Sequence, residues 1–158
     1  MKQTYPQCAQ GAGRGLIIDD GRVLLVRGNG DGTFWTIPGG RSDLGEDIKS
    51  CIVREVYEET GLRIDLGPFF AATEFYDETI GFHVLEMIFI CSLQNGSTLP
   101  ENWVDHDGPI KEARFFTLDE VRALKFLSPE FLRLGEWLNP PENNVYRGIE
   151  RKSLRQST

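Results

Sequence analysis

Gly40-Arg41-Ser42-Asp43-Leu44-Gly45-Glu46-Asp47-Ile48-Lys49-Ser50-Cys51-Ile52-Val53-Arg54-Glu55-Val56-Tyr57-Glu58-Glu59-Thr60-Gly61-Leu62 is the stretch that decides the fold. Ile48, Cys51, Ile52 and Val56 recur with the period of a helix that turns one face to a core. Glu55, Glu58 and Glu59 stand at i, i+3 and i+4, so their carboxylates crowd one side. On a helical wheel Glu59 falls between Ile48 and Ile52, and Glu55 falls beside Ile48. The acids therefore lean inward with the apolar stripe instead of facing water. Like charges one turn apart cost a helix roughly 0.2–0.5 kcal/mol per pair, so the pattern calls for a cation. A hard divalent ion such as Mg2+, which prefers carboxylate oxygens and keeps waters in its other positions, meets that need.

The flanks give this helix its ends. Leu44-Gly45-Glu46-Asp47 leads into the helix start and places acids in the first turn, at the positive end of the dipole. Gly61 followed by Leu62 suits a left-handed cap. Upstream, Trp35-Thr36-Ile37-Pro38-Gly39-Gly40 reads as a short strand ending in a turn, where paired glycines let the backbone approach a ligand and a carbonyl is available to a metal. Arg54 is the one cation beside the acids, and its planar guanidinium is suited to fixing a carboxylate.

Gly40, five residues, Glu46, seven residues, Arg54-Glu55-Val56, one residue, Glu58-Glu59, one residue, Gly61-Leu62 resembles the signature of the Nudix hydrolases, G-x5-E-x7-R-E-U-x-E-E-x-G-U with U a bulky aliphatic. All seven fixed identities and both aliphatic positions are met. The resemblance implies an α/β fold, an α/β/α sandwich with a mixed central sheet, whose motif helix packs on the sheet with its acids facing a cleft. In organisation it covers roughly residues 13–124. It also implies hydrolysis of a nucleoside diphosphate linked to another moiety, giving a nucleotide and a phosphorylated product. Mg2+, with Mn2+ as substitute, would sit on Glu55, Glu58 and Glu59 and on the Gly39 carbonyl. Glu46 would be an outer ligand through water or a partner of Arg54, and these acids with Arg54 form the expected catalytic set.

One departure bears on mechanism. Many family members carry a further Glu shortly before the strand that here reads Arg114-Phe115-Phe116, and ungapped counting places Pro109 there. Asp107 is the substitute metal ligand, with Asp105 and Glu112 behind it, and the base stays open between Glu55, Asp107 and a metal-bound hydroxide. Nucleoside triphosphates, ADP-ribose, nucleotide sugars and dinucleoside polyphosphates all remain substrates to test. The alternative to an enzyme is a nucleotide-binding or regulatory module of the same fold without turnover. Homodimers are common in the family.

The composition is consistent with this. A chain of 158 residues, 40% hydrophobic, can bury a core without disulfides or a structural metal. Residues 1–140 read as one domain and 141–158 as a polar, basic tail, loosely held or docked on a partner. A net charge of -7 argues against a nucleic-acid binder or an anionic-membrane binder; a small nucleotide is the partner that the resemblance implies. Cys8, Cys51 and Cys91 lack paired spacing, which fits a reducing cytoplasmic setting. The start lacks a secretory apolar region and no run is long enough to span a bilayer.

Strands are expected at Arg14–Ile18 and Arg22–Val26 around an Asp19-Asp20-Gly21 turn, at Phe34–Ile37, Arg63–Leu66, Phe69–Phe75, Phe82–Leu93 and Arg114–Thr117. Leu118–Leu124 and Pro129–Leu138 read as helices. Gly28-Asn29-Gly30-Asp31-Gly32 reads as a loop at the mouth of the substrate pocket, since it lacks the ending of a phosphate-binding loop. Arg27 and Trp35 are the candidate substrate contacts; Trp35, Phe34, Phe70 and Phe75 could each stack a base, with core packing the favoured reading for all four. His83 and His106 read as structural or solvated. Glu86, inside an apolar strand, needs a partner, and a salt bridge on the sheet face is favoured over a substrate contact.

Overall fold

The computed structural model describes residues 8–28, 34–126 and 145–152. Its organisation follows from the two-residue alternation of its strands, which sends adjacent apolar side chains to opposite faces. On β1 (Gln10–Asp19), Leu16 enters one core and Ile17 the other; on β2 (Arg22–Gly28), Val23 and Leu25 part from Leu24 in the same way. The first core gathers Leu16, Val23, Leu25, Trp35, Ile37, Phe116 and Val121; the second gathers Ile17, Leu24, Ile52, Val56, Leu62, Ile64 and Cys91. Helix α1 (Ile48–Thr60) covers the second and α2 (Leu118–Arg122) joins the first. A mixed sheet with a helix on each face results, as expected for an α/β/α sandwich.

The remaining strands are β3 (Phe34–Trp35), β4 (Gly39–Arg41), β5 (Ile64–Asp77), β6 (Phe82–Leu93), β7 (Ile110–Phe116), β8 (Lys125–Phe126) and β9 (Val145–Lys152). The main sheet runs β7-β2-β1-β6-β5-β9, and β4 also pairs with β1. β1 lies parallel to β6, and β5 parallel to β9, while the other pairings in this sheet are antiparallel. β3 and β8 form a separate two-stranded ribbon.

Several boundaries move when long-range pairing decides them. β1 starts at Gln10, because its ladder with β6 holds from Gln10 to Ile17 through a glycine-rich stretch that shows no apolar alternation. The two expected strands before Phe75 join as β5 across irregularities around Gly67 and Pro68. The expected acidic first turn of α1 is absent: Asp47 caps the helix, its Oδ1 accepting from the Lys49 and Ser50 amides at 3.0 Å, and so stands outside it. α2 carries a capping box between Thr117 and Glu120.

The largest departure lies beyond residue 140. Val145–Lys152, read as part of a loose or partner-docked tail, forms a strand on the edge of β5, from Ala71↔Val145 to Asp77↔Lys152. The Tyr146 hydroxyl donates to Glu74 at 2.6 Å. An open strand edge leaves backbone donors and acceptors unpaired, and a second strand fills them whatever its polarity. The expected helix at 129–138 and most of the 28–32 loop lie outside the described residues. Among the described residues no helix is long and apolar enough to cross a membrane.

Candidate active site

Gly39 and Gly40 let the acids of α1 reach the sheet. Gly39 has φ 141°, and a methyl there would lie 2.1 Å from the Gly13 carbonyl oxygen; one on Gly40 would lie 2.6 Å from the Glu55 carboxyl carbon. Through this gap Glu59 Oε2 accepts the Gly39 N–H at 2.9 Å. The expected turn at these glycines is the short strand β4, whose pairing with β1 aims that amide at the helix.

Arg54 gathers the other acids. Its Nε and Nη2 hold Glu46 at 2.8 and 2.7 Å, and its Nη1 donates to Glu55 at 2.8 Å and Glu58 at 3.0 Å. Of the two readings for Glu46, the structure shows the partner of Arg54. That hydrogen bond, with the Asp43 amide, pulls the Glu46 carboxyl down to about 2. The arginine thus supplies much of the positive charge that the glutamate pattern called for.

Glu59 is the acid it does not reach. The side chain is 9% exposed, and burial pushes its pKa up to about 8; the nearby Arg14 charge and the Gly39 amide oppose the rise, while Glu55 and Asp105 add to it. Burial also raises Glu55, against the pull of Arg54. Among the described residues, Glu55 Oε2, Glu58 Oε1 and Glu59 Oε1 accept no hydrogen bond. An acceptor-only oxygen set of this kind fits a hard divalent cation. No three His, Cys, Asp or Glu side chains among the described residues are already grouped to hold one, so the fit rests on donor chemistry and charge.

These acids form one wall of a cleft of about 700 Å³. Its sheet wall holds Ala12, Arg14, Phe75, Phe82, Val84 and Glu86, and a loop contributes Asp105, Asp107, Gly108 and Pro109. Arg14, which sequence reasoning missed, ties the walls together. Its Nε and Nη2 donate to Glu86 Oε1 at 2.8 and 2.6 Å, and its Nη1 donates to the Ile37 and Gly39 carbonyls at 3.2 and 2.9 Å. Burial works against this charge, but Glu86, with Glu59 and Glu55 behind it, holds the guanidinium pKa above its ordinary value. The salt bridge favoured for Glu86 is present, and the Gly39 carbonyl expected to bind metal already accepts from Arg14. A signal was available: Arg14 and Glu86 are opposite charges set in two apolar strands.

The loop candidates differ in burial and in partners. Asp105 is 7% exposed, and its Oδ2 accepts the Ile110 amide at 3.0 Å, whereas Asp107 lines the cleft from an exposed position. Glu112 pairs with Arg27. Trp103, another residue not singled out from sequence, docks the loop on α1. Its indole N–H donates to the Glu58 carbonyl at 2.8 Å and its ring meets Tyr57 edge-on at 5.3 Å.

Arg27 and Trp35 are not brought to the acids. Trp35 is buried against Phe116, the Arg27 guanidinium lies 5.0 Å over its ring, and neither lines the cleft. Strand alternation turns Trp35 into the first core, which explains the difference. His83 pairs with Glu74 at 2.6 Å and His106 is exposed, matching their structural and solvated readings.

A family model described as NUDIX domain matches residues 10–138. The chain is 30% identical over 115 residues to an ADP-ribose pyrophosphatase of Methanocaldococcus jannaschii, covering 71% of this chain and 64% of that one. It is 37% identical over 84 residues to nucleoside diphosphate-linked moiety X motif 6 of Xenopus laevis, covering 52% of this chain and 39% of the relative. The chain thus spans less than two thirds of these relatives. A NUDIX hydrolase structure from Nitrosomonas europaea superposes with a TM-score of 0.70 at 26% identity, covering 82% of this chain and 87% of that one.

Proposed function

The chain belongs to the Nudix family, and from that premise we propose that it is a metal-dependent pyrophosphohydrolase. It splits the diphosphate of a nucleoside diphosphate linked to a second moiety into a nucleotide and a phosphorylated product. The observation that carries this reading is Glu59, a buried carboxylate fixed through one oxygen by the Gly39 amide, its other oxygen without a donor beside the cleft. The name of the archaeal relative makes ADP-ribose the first substrate to try, ahead of nucleoside triphosphates and nucleotide sugars.

Glu55, Glu58 and Glu59 would hold Mg2+ or Mn2+. A bound ion of this type neutralises diphosphate oxygens and lowers the pKa of a coordinated water. Arg54 orients Glu55 and Glu58, with Glu46 as its counter-charge. Arg14 steadies the Gly39 backbone on which Glu59 rests. Asp105 and Asp107 supply carboxylates from the opposite loop, and Asp105 is the better fixed of the two. Glu55, half-buried with a raised pKa, is suited to receiving a proton from the attacking water. Residues 1–140 are proposed as the domain that carries this activity, with β9 (Val145–Lys152) completing the edge of its sheet. The unpaired cysteines, of which burial holds Cys51 at about 11 and Cys91 at about 12, agree with a cytoplasmic setting.

A nucleotide-binding module without turnover is the second reading. It is favoured by the engagement of three motif acids with Arg54 and by the lack of a ready three-residue metal cluster among the described residues. Product chromatography after incubating a nucleotide panel with Mg2+ separates the two. Turnover by the parent protein, lowered by several orders of magnitude in Glu59→Gln, supports the enzyme. Binding without products supports the module.

A further inference from the structure

A second cavity, of about 780 Å³, adjoins the cleft, and Arg41 and Glu55 line both. Gln10 and Gly11 of β1 form one side of it and the loop 41–46 forms the other. The loop has a fixed shape. The Ser42 amide donates to the Gly11 carbonyl at 3.1 Å, the Glu46 amide to the Asp43 carbonyl at 3.0 Å, and the Asp43 amide to Glu46 Oε2 at 2.9 Å. Gly45, at φ 87°, makes the turn between Asp43 and Glu46. Residues 41–45 occupy the five positions that the family signature leaves open, so their side chains are this chain's own choice.

The lining offers donors and acceptors together. Gln10 Oε1 accepts from Arg41 at 2.8 Å, while the Gln10 Nε2 amine donates to no acceptor among the described residues. The Asp43 carboxylate is 81% exposed, lies 4.0 Å from Arg54 and accepts no hydrogen bond from the described residues. A hydroxyl both donates and accepts, so a pair of neighbouring hydroxyls satisfies the amide and the carboxylate at once. Among the described residues no aromatic ring lines this cavity, so a nucleobase has no face to stack on there. Asp43, Glu46 and Glu55 outnumber Arg41 in the lining, and Arg54 behind them is taken up by Glu46 and Glu55. A further phosphate group entering here meets their repulsion.

We infer that this cavity holds the second moiety of the substrate, and that this moiety is an uncharged sugar or polyol. A diphosphate held at Glu55 lies where the two spaces meet. Its nucleoside extends into the cleft, and the group on its other phosphate extends past Arg41 toward Gln10 and Asp43. The inference rests on the proposed hydrolysis of a nucleoside diphosphate and narrows the substrates to a class. ADP-ribose and nucleotide sugars fit it; nucleoside triphosphates and dinucleoside polyphosphates do not.

The test uses binding, which needs no turnover. Isothermal titration with Mg2+ compares the α,β-methylene analogues of ADP, ADP-ribose, ADP-glucose and ATP, whose P–CH2–P link resists hydrolysis. They share the nucleoside end and differ in what the second phosphate carries. At least one sugar analogue should bind the full chain about fivefold or more tighter than the ADP analogue, and the ATP analogue should gain less. Gln10→Met and Asp43→Ala, both checked by circular dichroism, should each weaken that sugar analogue by at least about threefold and leave the ADP analogue unchanged. The proposal is overturned if no sugar analogue exceeds the ADP analogue, or if a terminal phosphate adds as much as a sugar. It is also overturned if the substitutions weaken every analogue alike or none. Those results leave the hydrolase reading standing wherever chromatography finds products. A sugar gain without hydrolysis supports the subsite and removes the hydrolase reading alone, and binding of no analogue removes both.

Discussion

Replacing Glu59 with Gln should make the metal-free protein less sensitive to alkaline pH. The Glu59 carboxyl has its pKa raised from 4.5 to about 8, chiefly by burial. A raised folded-state value means that the native protein holds a proton the unfolded chain has released. The stabilisation is complete below pH 4.5, the unfolded value, and is lost as pH rises through about 8. Between pH 5 and pH 9 this ionisation favours the unfolded chain by about 4 kcal/mol, since a tenfold difference in proton affinity between the two states corresponds to about 1.36 kcal/mol. Glutamine keeps an oxygen to accept the Gly39 N–H but does not titrate. Urea unfolding followed by tryptophan fluorescence in EDTA, at pH 5, 7 and 9, should show the difference in stability between variant and parent moving by that amount in favour of the variant. Other titrating groups are common to both proteins and cancel. At pH 9, Mg2+ at a hundred times its Kd should restore about 2.7 kcal/mol to the parent and much less to the variant. Parallel pH profiles for the two proteins in EDTA would show that Glu59 is not the buried acid described.

Arg54→Met should free three carboxylates: the Glu46 resonance, now titrating at about 2, moves back toward 4.5 in a 13C-detected titration, and phosphate release falls by at least about tenfold. An unchanged Glu46 titration contradicts the bidentate pairing. Gly39→Ala should cost at least about 2 kcal/mol in denaturant unfolding, because the new methyl meets the Gly13 carbonyl in a backbone conformation that L side chains rarely adopt; stability within error of the parent argues against that geometry. Trp103→Ala should cost about 1–3 kcal/mol and speed amide exchange across 105–110, since it removes both the hydrogen bond to the Glu58 carbonyl and the contact with Tyr57. Unchanged exchange there would separate Trp103 from the loop.

Much of α1 was legible because a helix converts spacing directly into direction. Glu59 falls between two core isoleucines on a wheel, and it is indeed buried with them, closed off by Gly61 in the left-handed conformation. Phe82–Leu93 was read with its observed ends because its β-branched and aromatic run stops at a turn. Gly11 and Gly13 hide the first part of β1 from the sequence, and β9, a polar edge strand, has no apolar alternation to read. In the site, counting along the chain points to Asp107, which does line the cleft, while the burial of Asp105 under the Ile110 amide is set by the loop's own turn.

What the sequence determined by itself was the motif helix, its inward acids and the family signature, all set by local periodicity within one element. Only the tertiary structure decided that Arg14 of β1 joins Glu86 of β6 to the Gly39 backbone, that Arg54 takes three acids and leaves Glu59, and that Trp35 belongs to a core. The reason is range. A helical face is fixed by residues three and four apart, but Arg14 and Glu86, 72 residues apart, become neighbours only when parallel strands choose their register.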